Sequence, residues 1–250
     1  MRRRWTTGRL ALEAGVSRTL VYLVERGDQT SLETYVRLGS VLGLRLDLSL
    51  EDPRAKAPVG RAQDPIDAAI VETLAARYGA QGRRVGADEP FQHFRFAGRA
   101  DVTAVDPGGP DLLHHEVKTA IPNVGELAGA WNVKRQYLAG ALADRHTIRG
   151  GFRSVTHVLT IAWTAECLHV VRLREPTIRS LGPDGPDAFA RWWDGGQPAA
   201  AGVTSTAVIF DPVERSRATS WASLDAIATL RPQHHGYADL LWRLRDAGHA

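Results

Sequence analysis

Two rhythms of apolar and polar residues divide this chain. From residue 6 to residue 44 the apolar positions fall at helical spacing and are broken by glycines. Thr6 or Thr7 can cap a first helix through Leu10, Ala11 and Ala14, stopped by Gly15. Ser17 caps a second over Arg18–Arg26, stopped by Gly27. Thr30 and Glu33 form a T-x-x-E capping box for a third, which runs through Leu42 to Gly43. Two short helices joined by a tight, glycine-containing turn predict a helix-turn-helix.

The rhythm then changes. Leu44–Glu51 (LRLDLSLE) alternates strictly and predicts a strand. It either pairs with its copy in a second subunit or joins the sheet of the following domain. Residues 52–63, rich in Pro, Gly and Ala, read as a linker. Asp64 and Pro65 are an N-cap and first-turn pair for a helix to Tyr78, stopped by Gly79. Strands are expected at 91–96, 100–106 and 112–119, then a helix over 124–143. Val155–Trp163 and Leu168–Arg174 read as two further strands, 185–194 as a helix and Ser205–Phe210 as a last strand. The pattern gives domains at 1–51 and 64–211 about a linker at 52–63. Residues 212–250 look like an extension carrying a short amphipathic helix, Tyr237–Arg245.

Composition narrows the classes. With 44% apolar residues the chain can build a core. No run reaches the length of a membrane span, and no signal-peptide segment opens the sequence. Cys167 is the single cysteine, so no disulfide forms within the chain and a reducing, cytoplasmic location is expected. Cys167 itself reads as a small buried residue. The pI of about 9.3 permits nucleic-acid binding. Abundant Ala, Gly and Arg suggest a GC-rich bacterial coding bias. Only Lys56, Lys118 and Lys134 are lysines among 31 Lys and Arg residues, so a retained lysine calls for a reason.

The stretch that concentrates chemistry is Gly98–Thr119, two strand-like runs about a Pro/Gly-rich turn. Glu116 and Lys118 are two apart and share a face. Asp101 joins that face if the loop between paired residues has an even count. Two carboxylates and an ammonium suit a Mg²⁺ site beside a cation that can neutralise phosphate charge. The same residues would also suit a surface hairpin with a Glu–Lys ion pair. On the 64–78 helix, at about 100° per residue, Asp67 falls on the apolar side and Glu72 on the solvated one. Asp67 is therefore the acid offered to such a site, although a first-turn carboxylate also suits the helix dipole. On the 124–143 helix, Leu127, Trp131, Leu138 and Leu142 form the apolar stripe and Lys134 falls within it. Lys134 either pairs with Asp101 and Glu116 or snorkels past Trp131. His114 shares the Glu116 face and could touch a phosphate, whereas His115 reads as a core residue.

The Asp101…Glu116-Val117-Lys118 pattern resembles the D-x(n)-E-x-K signature of the PD-(D/E)XK nuclease superfamily. The resemblance implies a mixed α/β core, Mg²⁺, a metal site of Asp101, Glu116 and Asp67, and catalysis by Asp101, Glu116, Lys118 and Lys134. Residues 10–27 (LALEAGVSRTLVYLVERG) and 31–44 (SLETYVRLGSVLGL) resemble the XRE family, the Cro/C1-type helix-turn-helix proteins. That implies double-stranded DNA as partner and a homodimer. It places Val16, Val21 and Val24 in the core, Arg18, Thr19 and Tyr22 toward the major groove, and Ser17 at phosphate. The family has a full helix before the capped one, where here only Met1–Trp5 stand. The expected fold class is α+β: a small all-α helix-turn-helix domain followed by a mixed α/β PD-(D/E)XK-like domain. Two functions fit. One is a DNA-targeted, Mg²⁺-dependent endonuclease. The other is an XRE-family transcriptional regulator whose nuclease-like domain serves sensing or dimerisation.

Overall fold

A computed structural model describes residues 5–26, 28, 30–44, 64–93, 96–196, 201–214, 216 and 218–247. The chain forms two compact units, Met1–Arg61 and Ala62–Ala250. The strand expected at 44–51 and the linker at 52–63 fall almost wholly on residues 45–63, outside the described residues.

The first unit contains α1 (Thr7–Ala14), α2 (Arg18–Arg26) and α3 (Leu32–Leu42). The Thr6 side chain caps α1 by accepting from Arg9 N at 3.3 Å. Gly15 ends it in the left-handed region (φ 62°), where a side chain would be strained. Ser17 Oγ accepts from Leu20 N at 3.1 Å and starts α2. Leu10, Ala11, Ala14, Val21 and Leu38 form the core, with Trp5, Val16, Val24 and Val41 packed around it. The cap of α3 differs from expectation. Ser31, not Thr30, accepts from Thr34 N (3.3 Å), and its extended backbone directly precedes the first helical residue. Glu33 is thereby one place too early to close a capping box. It pairs one turn on with Arg37, at 2.5 Å.

The second unit runs α4 (Pro65–Ala80), β1 (Arg84–His93), β2 (Phe96–Val105), β3 (Asp111–Lys118), α5 (Val124–Arg145), β4 (Ser154–Ala162), α6 (Ala165–Leu173), α7 (Glu175–Leu181), α8 (Asp187–Trp193), β5 (Gly202–Phe210), β6 (Trp221–Ser223), a 3-10 turn (Leu224–Ala226) and α9 (Tyr237–Asp246). Among the described residues its six strands form one mixed sheet in sequence order. β1–β2, β2–β3 and β5–β6 are antiparallel, while β3, β4 and β5 are parallel. Helices cover both faces. On β3, His115 meets Tyr78 of α4 and Phe189 of α8, whereas its neighbour His114 meets Trp131 of α5. Such double cover explains why every residue of β4 is buried. Among the described residues the protein is α+β, with nine α-helices, and no helix is long and apolar enough to cross a membrane.

Three expected strands change. The run at 91–96 is two strands, because a single apolar-aromatic stretch spans the end of β1 and the start of β2. The strand expected at 168–174 is helical, in α6. Thr164 caps it by accepting from Cys167 N, and Cys167, Leu168 and Val171 make a helical stripe. Topology demands this, since parallel β4 and β5 need a crossover and α6, α7 and α8 supply it. The strand expected at 205–210 begins at Gly202 and is followed by β6. Leu224, Ile227, Leu240 and Leu244, from the chain's last forty residues, lie in the same core as α4 and the sheet.

The cap assignment is testable. Ser31→Ala should destabilise α3 by about 1 kcal/mol. Thr30→Ala should cost almost nothing, because Thr30 Oγ1 has no partner among the described residues. Hydrogen exchange of the α3 amides in the full chain measures both. Equal protection in the two variants would contradict the cap at Ser31.

Candidate active site

The β2–β3 hairpin pairs Val102 with His115 through to Val105 with Leu112, leaving residues 106–111, an even count, between the last partners. That register carried one step further sets Asp101 opposite Glu116. There the β2–β3 ladder ends and the β1–β2 ladder misses one pair. β1 and β2 pair from Ala87↔Val102 to Glu89↔Ala100, skipping Asp88 and Asp101, and Asp88 has φ 50°. On the β3 side, Asp101 Oδ2 accepts the Val117 N–H at 2.6 Å.

Glu116 lies beside it, with only 4% of its side chain exposed. Lys118 Nζ donates to Glu116 Oε1 at 2.8 Å and to the Val117 carbonyl at 2.8 Å. Lys134 Nζ donates to Glu116 Oε2. The second contact follows from the α5 stripe. Leu127, Trp131, Lys134, Leu138 and Leu142 are all buried, so the ammonium enters the interior and must meet a charge there. Lys118 keeps 29% of its side chain exposed, against 11% for Lys134. Lys118 is thus the cation that faces outward.

The start of α4 closes one side. Asp64 caps it by accepting from Ile66 N at 2.9 Å. Its carboxylate also accepts from Thr119 Oγ1 (2.6 Å), next after Lys118, and from the Tyr237 hydroxyl of α9 (2.7 Å). Asp67, in the first turn, is half-buried and within electrostatic reach of Asp64, Lys118, Glu116 and Asp88. Glu72 is exposed. It lines a separate cavity of about 380 Å³ with Trp193 and Ser220.

The charges are uneven. Burial, then repulsion from Glu116, pushes the Asp101 carboxyl up to about 6, against the pull of Lys134, Lys118 and the Val117 N–H. Burial and the charge of Asp64 raise Asp67 too. Burial alone would lower Lys118, but the charge and hydrogen bond of Glu116, with Asp101 and Asp67, outweigh it and raise the ammonium. Asp64 moves the other way: burial raises it, but its bonds from Thr119, Tyr237 and the helix amides prevail and lower it. Burial and the bond to Asp64 push the Tyr237 phenol up to about 12.

The donor set fits a hard divalent cation. Mg²⁺ typically takes one or two protein carboxylates and completes its shell with water and phosphate. Asp101 and Glu116 would supply the carboxylates, and it is burial first, then Glu116, that displaces Asp101 upward. Among the described residues no three His, Cys, Asp or Glu side chains are grouped to hold a metal by themselves.

Other expected residues separate. His114 does not reach outward to a phosphate. It is fully buried beneath Glu116, its Nε2 3.9 Å from Oε2, because α5 covers that face of β3. His115 is a core residue held by Tyr78 (2.9 Å) and Thr160 (2.7 Å). Cys167 is buried, its thiol directed at the Thr119 carbonyl. In the N-terminal unit, Ser17 caps α2, while Arg18, Thr19 and Tyr22 are exposed. The Arg26 guanidinium lies 5.7 Å from the Tyr22 ring.

Residue spacing did not reveal Asp88, Thr119 or Tyr237 as neighbours of the site. Asp88 carries a weak signal, as a turn-prone residue inside a strand. Tyr237 has none. No protein-family profile matches the chain, and no curated protein and no solved structure matches it.

Asp101 gives a pH test. Its folded pKa is raised, so the native state holds the proton more tightly than the unfolded chain. Its contribution is therefore favourable at low pH and is lost as pH rises from about 4 through about 6. Asp101→Asn, which can still accept from Val117 N, should stabilise the protein at pH 7–8 by up to about 3 kcal/mol. That gain should vanish near pH 4. Urea unfolding across this range measures it, and a pH-independent difference would contradict the assignment.

Proposed function

We propose that this chain is a DNA-binding protein whose N-terminal helices act as an XRE-type helix-turn-helix and whose second unit is a PD-(D/E)XK-like, Mg²⁺-dependent endonuclease. The observation that carries the reading is the convergence of Asp101, Glu116, Lys118 and Lys134, from β2, β3 and α5, on one partly open point.

Each residue has a task. Asp101 and Glu116 would hold Mg²⁺, with Asp67 as a further acid at the edge of the cluster. The ion would supply a water of lowered pKa and offset charge on the phosphate. Lys118, half-exposed and fully charged, donates to a phosphate oxygen as charge accumulates there. Lys134 holds the inner oxygen of Glu116 and fixes its rotamer. Asp101 accepts protons near neutrality, so cleavage at limiting Mg²⁺ rises with pH through about 6. Ser17 and the start of α2 meet phosphate, and Arg18, Thr19 and Tyr22 meet base edges. A homodimer on two half-sites about one helical turn apart completes the DNA arrangement. The lone, buried Cys167 suits a reducing cytoplasm.

A second reading has its own support. Both oxygens of Glu116 are already held by lysines, and one oxygen of Asp101 by a backbone N–H. A self-satisfied ionic cluster can also serve a regulator whose second unit senses a ligand or dimerises.

One set of assays separates them. With Mg²⁺, the full chain should cut or nick DNA. Lys118→Ala should slow cutting by roughly 10²-fold or more with DNA affinity unchanged. Arg18→Ala or Tyr22→Ala should weaken DNA binding by roughly tenfold. Binding to DNA without cutting, across divalent metals and substrates, would favour the regulator.

A further inference from the structure

Below Glu116 lies a buried histidine pair with no task in the scheme above. His114 and His157 are register partners on β3 and β4. Both rings are 0% exposed, and their Nδ1 atoms are 3.0 Å apart. Trp131 fixes them, stacked on His114 at 5.8 Å and edge-on to His157 at 6.0 Å. Burial keeps both neutral: it pulls His157 down to about 3 and His114 well below the usual imidazole range.

A hydrogen bond between two ring nitrogens needs one donor and one acceptor. Two neutral imidazoles joined through Nδ1 must therefore be opposite tautomers. If His157 donates, His114 carries its proton on Nε2 and His157 Nε2 is a bare lone pair. If His114 donates, the ends are reversed. Distance cannot choose, but the surroundings of the two ends can. His114 Nε2 lies 3.9 Å from Glu116 Oε2, too long for a hydrogen bond yet close enough for strong electrostatics. An N–H there is attracted to the carboxylate, and a bare lone pair is repelled. At the other end, His157 Nε2 is buried without a hydrogen-bond partner among the described residues, as is Arg135 Nε. The Arg135 charge acts on His157. A lone pair suits that cation, and a second N–H does not.

We propose that His157 donates through Nδ1–H to His114 Nδ1, and that His114 holds its own proton on Nε2, directed at Glu116. The pair is then a polar strut running from Arg135 to Glu116. Its members are positioning residues. They touch no substrate, and they orient the Glu116 carboxylate from beneath while Lys118 and Lys134 hold its oxygens. The value of the strut to catalysis rests on the nuclease reading; the tautomer assignment does not.

The test begins with the unmodified full chain. ¹⁵N-edited NMR of the histidine rings, without Mg²⁺, should show His114 protonated on Nε2 and His157 on Nδ1. The reverse pattern, or a charged ring at neutral pH, overturns the proposal. In His157→Phe, His114 Nδ1 loses its donor while Glu116 still favours the Nε2 proton, so the His114 Nδ1 ¹⁵N resonance should move toward that of an unbonded lone pair, with a shift of the Glu116 carboxyl ¹³C resonance. Unchanged His114 Nδ1 and Glu116 resonances in that variant would also overturn it. Mg²⁺ affinity by calorimetry should fall roughly tenfold in the variant. Absence of Mg²⁺ binding in the unmodified chain counts against the nuclease reading alone, because the tautomer measurement decides the strut separately.

Discussion

The buried carboxylate of Glu116 is the constraint around which the second unit is arranged. A charge in such a place is tolerated only if opposite charge reaches it. Two ammonium groups do, from different elements, and each needs its element in place. Lys118 comes from the same strand, while Lys134 must be delivered by α5. Docking of α5 therefore completes both an apolar stripe and an ion pair. Removing one partner from such a set costs about 3–5 kcal/mol, yet replacing a whole buried set by apolar residues is often neutral or stabilising. Stability alone is thus a poor reason for building the cluster.

Sheet topology brings the remaining groups to the same place. β3, β4 and β5 run parallel, so their carboxyl ends share one edge. Ligands in sheets of this kind bind outside the carboxyl ends of the strands. β3 delivers Glu116, Lys118 and Thr119 to that edge. Asp64, at the start of α4, is bonded there to Thr119 and Tyr237, so the helix dipole begins beside the acids. The last helix is therefore tied to the site through one phenol, although its sequence suggests an appendage.

The boundary of what the sequence could show is physical. Caps are local: Thr6, Gly15, Ser17 and the Asp64–Pro65 pair follow from neighbours one to four residues away. The placement of Lys134 and Asp67 was legible because helical angle alone sorts buried from exposed positions. Loop parity made the face of Asp101 depend on one count, and the observed β2–β3 register supplied it. Most of the failures involve distant partners. Leu168–Arg174 alternates well enough for a strand, and only the need for a crossover between parallel strands makes it helical. The contact of Tyr237 with Asp64 and the pairing of His114 with His157 depend on tertiary docking and β3–β4 register. Neither leaves a mark at short range. Ser31 displaced Thr30 as cap because adjacent Ser and Thr offer the same chemistry one residue apart.

The scarcity of lysine gains a structural reason. Of the three lysines, Lys118 and Lys134 both reach Glu116, while Lys56 lies outside the described residues. An arginine tends to engage both oxygens of a carboxylate at once through its planar fork. One such contact at Glu116 would leave a second cation without an oxygen and would leave no side of the carboxylate open. Compact ammonium groups divide the two oxygens between them, one from the buried side and one from the exposed side. The inner lysine then acts as a fixed support, and the outer one remains close to solvent with its charge secured. In a chain that uses arginine for nearly every other cation, that division of one carboxylate explains why lysine stands at both positions.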